Sequence, residues 1–272
     1  MVRRLALVAL GLATLHAQDA AVRRPLRLVW HDEFELAAGT PPDRTKWTYD
    51  LGQTGWGNAE LEDYTASAAN ASHDGEGHLI IQAIALPGGR YTSARLKTQG
   101  LASFRYGRVE ARIQIPFGQG MWPAFWMLGN DISTVGWPSC GEIDIMENIG
   151  KEPATVHGTV HGPGYSGADG IGAPYRIRDG RFADDFHVFA LDWQPESIEI
   201  SVDHVVYQRV TPADLRKGAA WVYNRPFFLV LNLAVGGYWP GYPDATTQFP
   251  QRMTVDYVRV YSATPAGGAA DR

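Results

Sequence analysis

Gly141-Glu-Ile-Asp-Ile-Met-Glu147 is the stretch from which the rest of the chain is read. Three carboxylates, Glu142, Asp144 and Glu147, stand among Ile143, Ile145 and Met146. Acidic and apolar residues alternate from 142 to 145. That is the period of a β-strand with one polar face and one buried face. Glu142 and Asp144 therefore share a side. Glu147 breaks the parity: on a regular strand it joins Ile143 and Ile145 on the buried face, where an unpaired carboxylate is very costly. Two readings repair this. In one, the strand ends before Glu147, which then lies on a solvated loop. In the other, one extra residue near Ile145-Met146 forms a β-bulge and returns Glu147 to the face of Glu142 and Asp144. With the bulge absorbed, Glu142 and Glu147 are about 13 Å apart at their Cα atoms. Two long side chains leaning together over a concave sheet then bring their carboxyls to about 5–5.5 Å, the spacing of a retaining glycosidase.

Outward from this strand, the chain repeats short strand-like segments between turn signals. They fall at 26–30, 78–83, 108–115, 125–128, 143–145, 155–161, 187–193, 197–202, 227–233 and 253–261. Pro-Gly-Gly at 87–89, Phe-Gly-Gln-Gly at 117–120 and Gly-Pro-Gly at 162–164 separate some of them. This rhythm predicts an all-β fold, a sandwich or jelly roll of two stacked antiparallel sheets. Helix is minor, with a turn or two expected at 58–64 and 212–217. Phe227-Phe-Leu-Val-Leu-Asn-Leu233 is almost wholly apolar and reads as a central strand covered on both faces. Its exception, Asn232, is either part of a buried hydrogen-bonded network or a cleft residue.

Several segments together resemble glycoside hydrolase family 16. Glu142-Ile-Asp-Ile-Met-Glu147 is similar to that family's active-site strand in its bulged, six-residue form, the form of laminarinase-like endo-β-1,3-glucanases. Other family-like segments are Leu28-Val-Trp-His-Asp-Glu-Phe34, Gly55-Trp-Gly-Asn-Ala-Glu60, Tyr91-Thr-Ser-Ala-Arg95 and Tyr106-Gly-Arg-Val-Glu-Ala-Arg112. Gly120-Met-Trp-Pro-Ala-Phe-Trp-Met-Leu128, Leu231-Asn-Leu-Ala-Val-Gly-Gly237 and Asp256-Tyr-Val-Arg-Val-Tyr261 complete the set in family order.

The resemblance implies a jelly roll with a concave cleft and hydrolysis of β-1,3-glucan by double displacement. It puts the nucleophile on Glu142 and the general acid/base on Glu147, with Asp144 orienting Glu142. Three acids on one strand do not all ionise easily, so at least one proton is held to higher pH. A sugar cleft also needs aromatic platforms and hydrogen-bonding groups. Trp122 and Trp126, four residues apart, are read as platforms, although Pro123 argues against a regular central strand between them. Asn58 and Arg95 match family positions that contact sugar. Trp56, Trp137, His161 and Trp239 are further cleft candidates. His157 and His161 have the spacing of a metal pair but no third ligand at suitable spacing, and no catalytic zinc is expected. The resemblance also implies a structural calcium away from the cleft, matched here by Glu33, Gly77 and Asp256, an oxygen set suited to a hard cation.

Composition sets outer bounds. The 272 residues suit one sizeable all-β domain. Lys plus Arg is 24 and Asp plus Glu is 29, a net charge of −5 that gives no electrostatic case for nucleic acid or an anionic membrane. A neutral ligand fits better; the resemblance implies that it is a β-glucan polysaccharide, and the protein is expected to act as a monomer. Residues 1–17 read as a secretory signal: Met1-Val-Arg-Arg4 is basic, an apolar run to Leu15 follows, and Ala17 precedes the cut. Residues 18–24 are a linker, 25–262 the catalytic domain and 263–272 a frayed Gly/Ala-rich tail. The chain is expected to be secreted or periplasmic. A single cysteine, Cys140, excludes a disulfide framework and packs as a small residue beside the acidic strand. The alternatives are a glycanase for mixed-linkage β-glucan or a galactan, and a non-catalytic β-glucan-binding lectin. The retained pair of glutamates argues against the lectin.

Overall fold

The computed structural model describes residues 26–263. The expected signal at 1–17, the linker at 18–24 and all but the first residue of the tail at 263–272 lie outside the described residues. Seventeen strands are described. They are β1 (Leu26–Asp32), β2 (Thr48–Asp50), β3 (Glu62–Tyr64), β4 (Ala71–His73), β5 (Leu79–Leu86), β6 (Arg90–Ser93), β7 (Arg95–Lys97), β8 (Gly107–Gln114) and β9 (Met121–Gly129). Then follow β10 (Glu142–Glu147), β11 (Thr155–His161), β12 (Ile171–Arg176), β13 (His187–Gln194), β14 (Ser197–Val202), β15 (Val205–Val210), β16 (Phe227–Val235) and β17 (Gln251–Ala263). One short helix, α1 (Ile132–Val135), sits between β9 and β10.

The strands form two sheets. The larger runs β15-β14-β13-β8-β17-β5-β6-β3, with β1 beside β17 and β4 beside β5. The smaller runs β12-β11-β10-β9-β16-β7-β2. Pairing is antiparallel except between β3 and β6. This is the expected all-β sandwich, with the core between the sheets.

β16 shows why the sandwich closes. Every residue of it is buried. Phe227, Leu229, Leu231, Leu233 and Val235 enter the main core between the sheets. Phe228 and Val230 point the other way, into a second apolar cluster with Leu128 and Cys140. Period-two alternation is thus intact, but both faces are covered. Each fully buried Leu or Phe contributes about 1.5–3 kcal/mol relative to exposure, so this strand anchors the smaller sheet. Gly158 on β11 lets the two sheets approach. A Cβ there would lie 2.7 Å from the Tyr207 hydroxyl and 2.9 Å from Ile200 on the opposite sheet.

Three expectations about elements are corrected. Residues 58–64 are not helical: turns run over Trp56–Ala59, and β3 follows. At 212–217 there is only one 3-10 turn, Pro212–Asp214. Pro123 sits inside β9, a central strand between β10 and β16. It is tolerated because of where its nitrogen faces. Its carbonyl accepts from the Asn148 N–H just beyond β10. Its ring nitrogen points to that same side, so the ladder to β16 loses no donor.

Candidate active site

β10 carries the bulge. Against β9, Asp144 pairs with Trp126 and Met146 with Phe125, so Ile145 is the extra residue. Against β11, Asp144 pairs with Thr159 and Glu147 with His157, again with a slip between them. Ile145 and Met146 are consecutive, yet both enter the main core with Ile143. Glu142, Asp144 and Glu147 therefore share the outer face of the smaller sheet. The loop reading of Glu147 is excluded, because it closes the strand.

These acids line a cleft of about 1090 Å³. Its floor comes from alternate residues of neighbouring strands, such as Trp122, Ala124 and Trp126 of β9, and His157, Thr159 and His161 of β11. Asn58, Arg95, Trp56, Trp137 and Trp239 also line it, so every sugar-site residue expected from sequence meets the three acids in one place.

Each acid has its own partner. The Trp137 indole N–H donates to Glu142 Oε2 at 3.0 Å. The Trp122 indole N–H donates to Glu147 Oε1 at 3.0 Å. His161 Nε2 stands 3.1 Å from Asp144 Oδ2 and 3.7 Å from Glu142 Oε1. The Asp144 contact is close but lacks the alignment of a hydrogen bond. Burial pushes the Glu142 carboxyl up to about 8, with the nearby Asp144 charge adding to it. Burial also holds Asp144 well above the usual carboxylate range. Glu147 is raised in the same way, first by burial and then by the Asp144 charge. The three titrate as a group, and protons are retained among them at neutral pH.

The tryptophans do more than offer ring faces. Trp126 donates to Asn232 Oδ1 at 2.7 Å. The Arg95 guanidinium lies 4.7 Å from the Trp126 ring centre and 4.7 Å from that of Trp56. One face of Trp126 is therefore covered by Arg95, and the simple platform reading is corrected for that face. Arg95 is itself paired with Asp50 Oδ2 at 2.9 Å. Trp122 stands edge-on to Trp239, with ring centres 5.6 Å apart. Asn232 is both things sequence allowed: a network residue and part of the cleft wall.

Sequence reasoning missed Glu60, His157 and Tyr238 as cleft residues. Two signals pointed to them. Glu60 lies two residues after Asn58 in Gly55-Trp-Gly-Asn-Ala-Glu60, and His157 shares strand parity with His161. Tyr238 had only its adjacency to Trp239. The two histidines do not form a metal pair. Instead Glu142, Asp144 and His161 offer ligand atoms within 4.8 Å of one another, the one such group among the described residues. A cation there competes with the protons that the two carboxyls retain.

Cys140 is fully buried, and burial pushes its thiol up to about 11, so it is neutral and unsuited to attack. The residues matched to calcium lie at or just beyond the ends of strand segments that meet along β17. β5 and β1 both pair with β17, which slips against β8 at Asp256. The two carboxylates are already engaged. Arg259 donates to Glu33 at 2.9 and 2.7 Å, and Arg112 to Asp256 at 2.6 Å. No helix among the described residues is long and apolar enough to cross a membrane.

Comparison with known proteins agrees with this geometry. The family described as "Glycosyl hydrolases family 16" matches residues 60–259. The chain is 43% identical to a β-glucanase of Rhodothermus marinus, over 96% of this chain and 95% of that one. It superimposes on the endo-β-1,3-glucanase of Pyrococcus furiosus with a TM-score of 0.83 and 50% identity, over 89% of this chain and 97% of that one. With the laminarinase catalytic domain of Thermotoga maritima the TM-score is 0.82 and the identity 47%, over 88% and 99%.

Proposed function

The chain belongs to glycoside hydrolase family 16, and from that premise we propose that it is an endo-acting β-1,3-glucanase that cleaves laminarin-type glucan with retention. The observation that carries this reading is the β10 bulge, which sets Glu142 and Glu147 on one wall of the cleft with Asp144 between them.

The environments divide the roles. Glu147 favours its protonated form, as a general acid must. Trp122 holds its Oε1, leaving the other oxygen to carry the proton toward the glycosidic oxygen. Glu142 must be an anion to attack the anomeric carbon. Trp137 donates to it, and the Asp144 charge adds to the burial that raises its pKa. When Asp144 holds the proton, that repulsion vanishes and Glu142 ionises more readily. In the second step Glu147, now a carboxylate, takes a proton from water, which attacks the same carbon. Two displacements restore the original configuration.

The enzyme acts in this reading as an exported monomer, on the strength of the basic and apolar N-terminal segment and the neutral substrate. A structural calcium at Glu33, Gly77 and Asp256 is part of the same proposal. Its support is the meeting of those strand segments along β17, near its slip. Against it stand the arginine pairs, of which Arg112–Asp256 is about a third exposed and therefore readily opened. The function is tested by product analysis on laminarin, lichenan and agarose side by side, with Glu142→Gln as control. Oligosaccharides from laminarin, absent with the variant, are expected. Faster release from agarose would overturn the substrate reading.

A further inference from the structure

Beneath one wall of the cleft lies a carboxyl pair that takes no part in the chemistry above. Glu62, on β3, has no exposed surface, and Glu60 is nearly buried two residues before it. Glu62 Oε2 accepts the Val235 backbone N–H at 2.7 Å, while Glu62 Oε1 is buried with no donor to accept from. Both oxygens of Glu60 are occupied. Asn58 Nδ2 donates to Oε1 at 2.9 Å and the Tyr64 hydroxyl to Oε2 at 3.2 Å.

The direction of this network is fixed by chemistry. An indole N–H can only donate. Trp126 donates to Asn232 Oδ1, so the Asn232 amide nitrogen faces Tyr64, to which it donates at 3.1 Å. The Tyr64 proton must then go to Glu60. Three hydrogen bonds in series, Trp126 to Asn232 to Tyr64 to Glu60, all end on one carboxylate, and Asn58 adds a fourth. Glu60 is thus the acceptor at the end of the chain. Glu62 is within side-chain hydrogen-bonding reach of Glu60, so a second carboxylate there would put two buried anions side by side. Arg95, the nearby cation, is engaged by Asp50 and stacked between Trp56 and Trp126.

We propose that Glu62 is a neutral carboxylic acid whose Oε1 carries a proton donated to the Glu60 carboxylate, and that this buried pair positions Asn58 and Trp126 in the cleft wall. The unpartnered Oε1 then becomes a donor, and every polar atom of the pair is satisfied. Burial and the Glu60 charge push the Glu62 carboxyl up to about 9, in keeping with a retained proton. Glu62 does not line the cleft and acts through Glu60 and through the Val235 backbone that it holds. It is a positioning residue.

The test compares wild type, Glu62→Gln and Glu62→Leu. Gln keeps a donor toward Glu60 and a carbonyl for Val235; Leu keeps volume and removes both. In infrared difference spectra at neutral pH, without substrate, Glu62→Gln is expected to lose one protonated-carboxyl carbonyl band. With laminarin, Gln is expected to stay within about twofold of wild type in KM, while Leu raises KM roughly tenfold with a smaller change in kcat. No band lost, Gln as impaired as Leu, or Leu with an unaltered KM would each overturn the proposal. If Leu does not fold, the Gln kinetics and the infrared band decide. The kinetic arm rests on the β-glucanase reading and the infrared arm does not. A lost band with no laminarin cleavage by wild type therefore leaves the proton placement standing and removes only the substrate.

Discussion

Trp122 donates its indole N–H to Glu147 Oε1 at 3.0 Å from the neighbouring strand. The bond does two things. It fixes the carboxyl along the cleft, and it favours the carboxylate over the acid, opposing the burial that raises the Glu147 pKa. Trp122→Phe keeps most of the ring and removes the donor. The acid's pKa should then rise further, and the alkaline limb of the kcat/KM profile should move to higher pH. The maximum should fall by roughly tenfold or more, the worth of a hydrogen bond to a charged group. An unmoved alkaline limb would show that Glu147 is not the group titrating there.

Glu142→Gln separates catalysis from stability. Hydrolysis should fall by at least about 10³-fold, while laminarin still binds. Stability should go the other way. A carboxyl raised from 4.5 to about 8 on folding holds its proton more tightly in the folded state. The stability it confers is full below the unfolded value and is lost as pH rises to about 8. Gln is neutral throughout, so the variant should melt about 5 °C higher than wild type near the upper end of that window. The gain should vanish at acid pH. A constant offset at all pH values would remove the titration argument.

How much of this was legible in sequence depends on the kind of residue. The need for a repair at Glu147 was, because a carboxylate on the wrong parity is too costly to leave buried; parity allowed a loop or a bulge, and the resemblance favoured the bulge. β16 was, because an unbroken apolar run has few other uses. β3 was not. Glu62 looks like a surface acid in a polar turn, and only its neighbours Glu60, Val235 and Tyr64 show it to be buried. Nor did spacing reveal that Arg95 covers Trp126, since the two lie on strands separated by β16. The cleft's acids were written in one strand. Its walls come from segments far apart in the chain, and only folding brings them together.

Deleting Met146 converts the bulged strand into the regular alternating form. Ile143 and Ile145 remain for the core, and all three acids stay on one face, so the variant should fold with a lowered melting temperature. The acid moves along the strand and the pairing after it shifts. Misplacement of about 1 Å costs roughly a hundredfold in rate, so kcat/KM on laminarin should drop by at least that much. Unchanged activity would mean that the extra residue does not position Glu147.

Calcium is tested by chelation. With the ion held at the β17 slip, excess chelator should lower the melting temperature and leave kcat nearly unaltered below it, because the site lies away from the cleft. A melting curve that does not move, with no metal by elemental analysis, would leave the Arg112–Asp256 and Arg259–Glu33 pairs as the whole story there.

The double displacement itself is most directly tested by following the anomeric proton signals of laminarin products in the first minutes of reaction, before mutarotation. Glu142 and Glu147 acting as nucleophile and acid/base across one bond require the β-anomer to appear first and the α-anomer to grow in later. An α-anomer formed first would mean direct attack by water, and would contradict the two-carboxylate mechanism built on the β10 bulge.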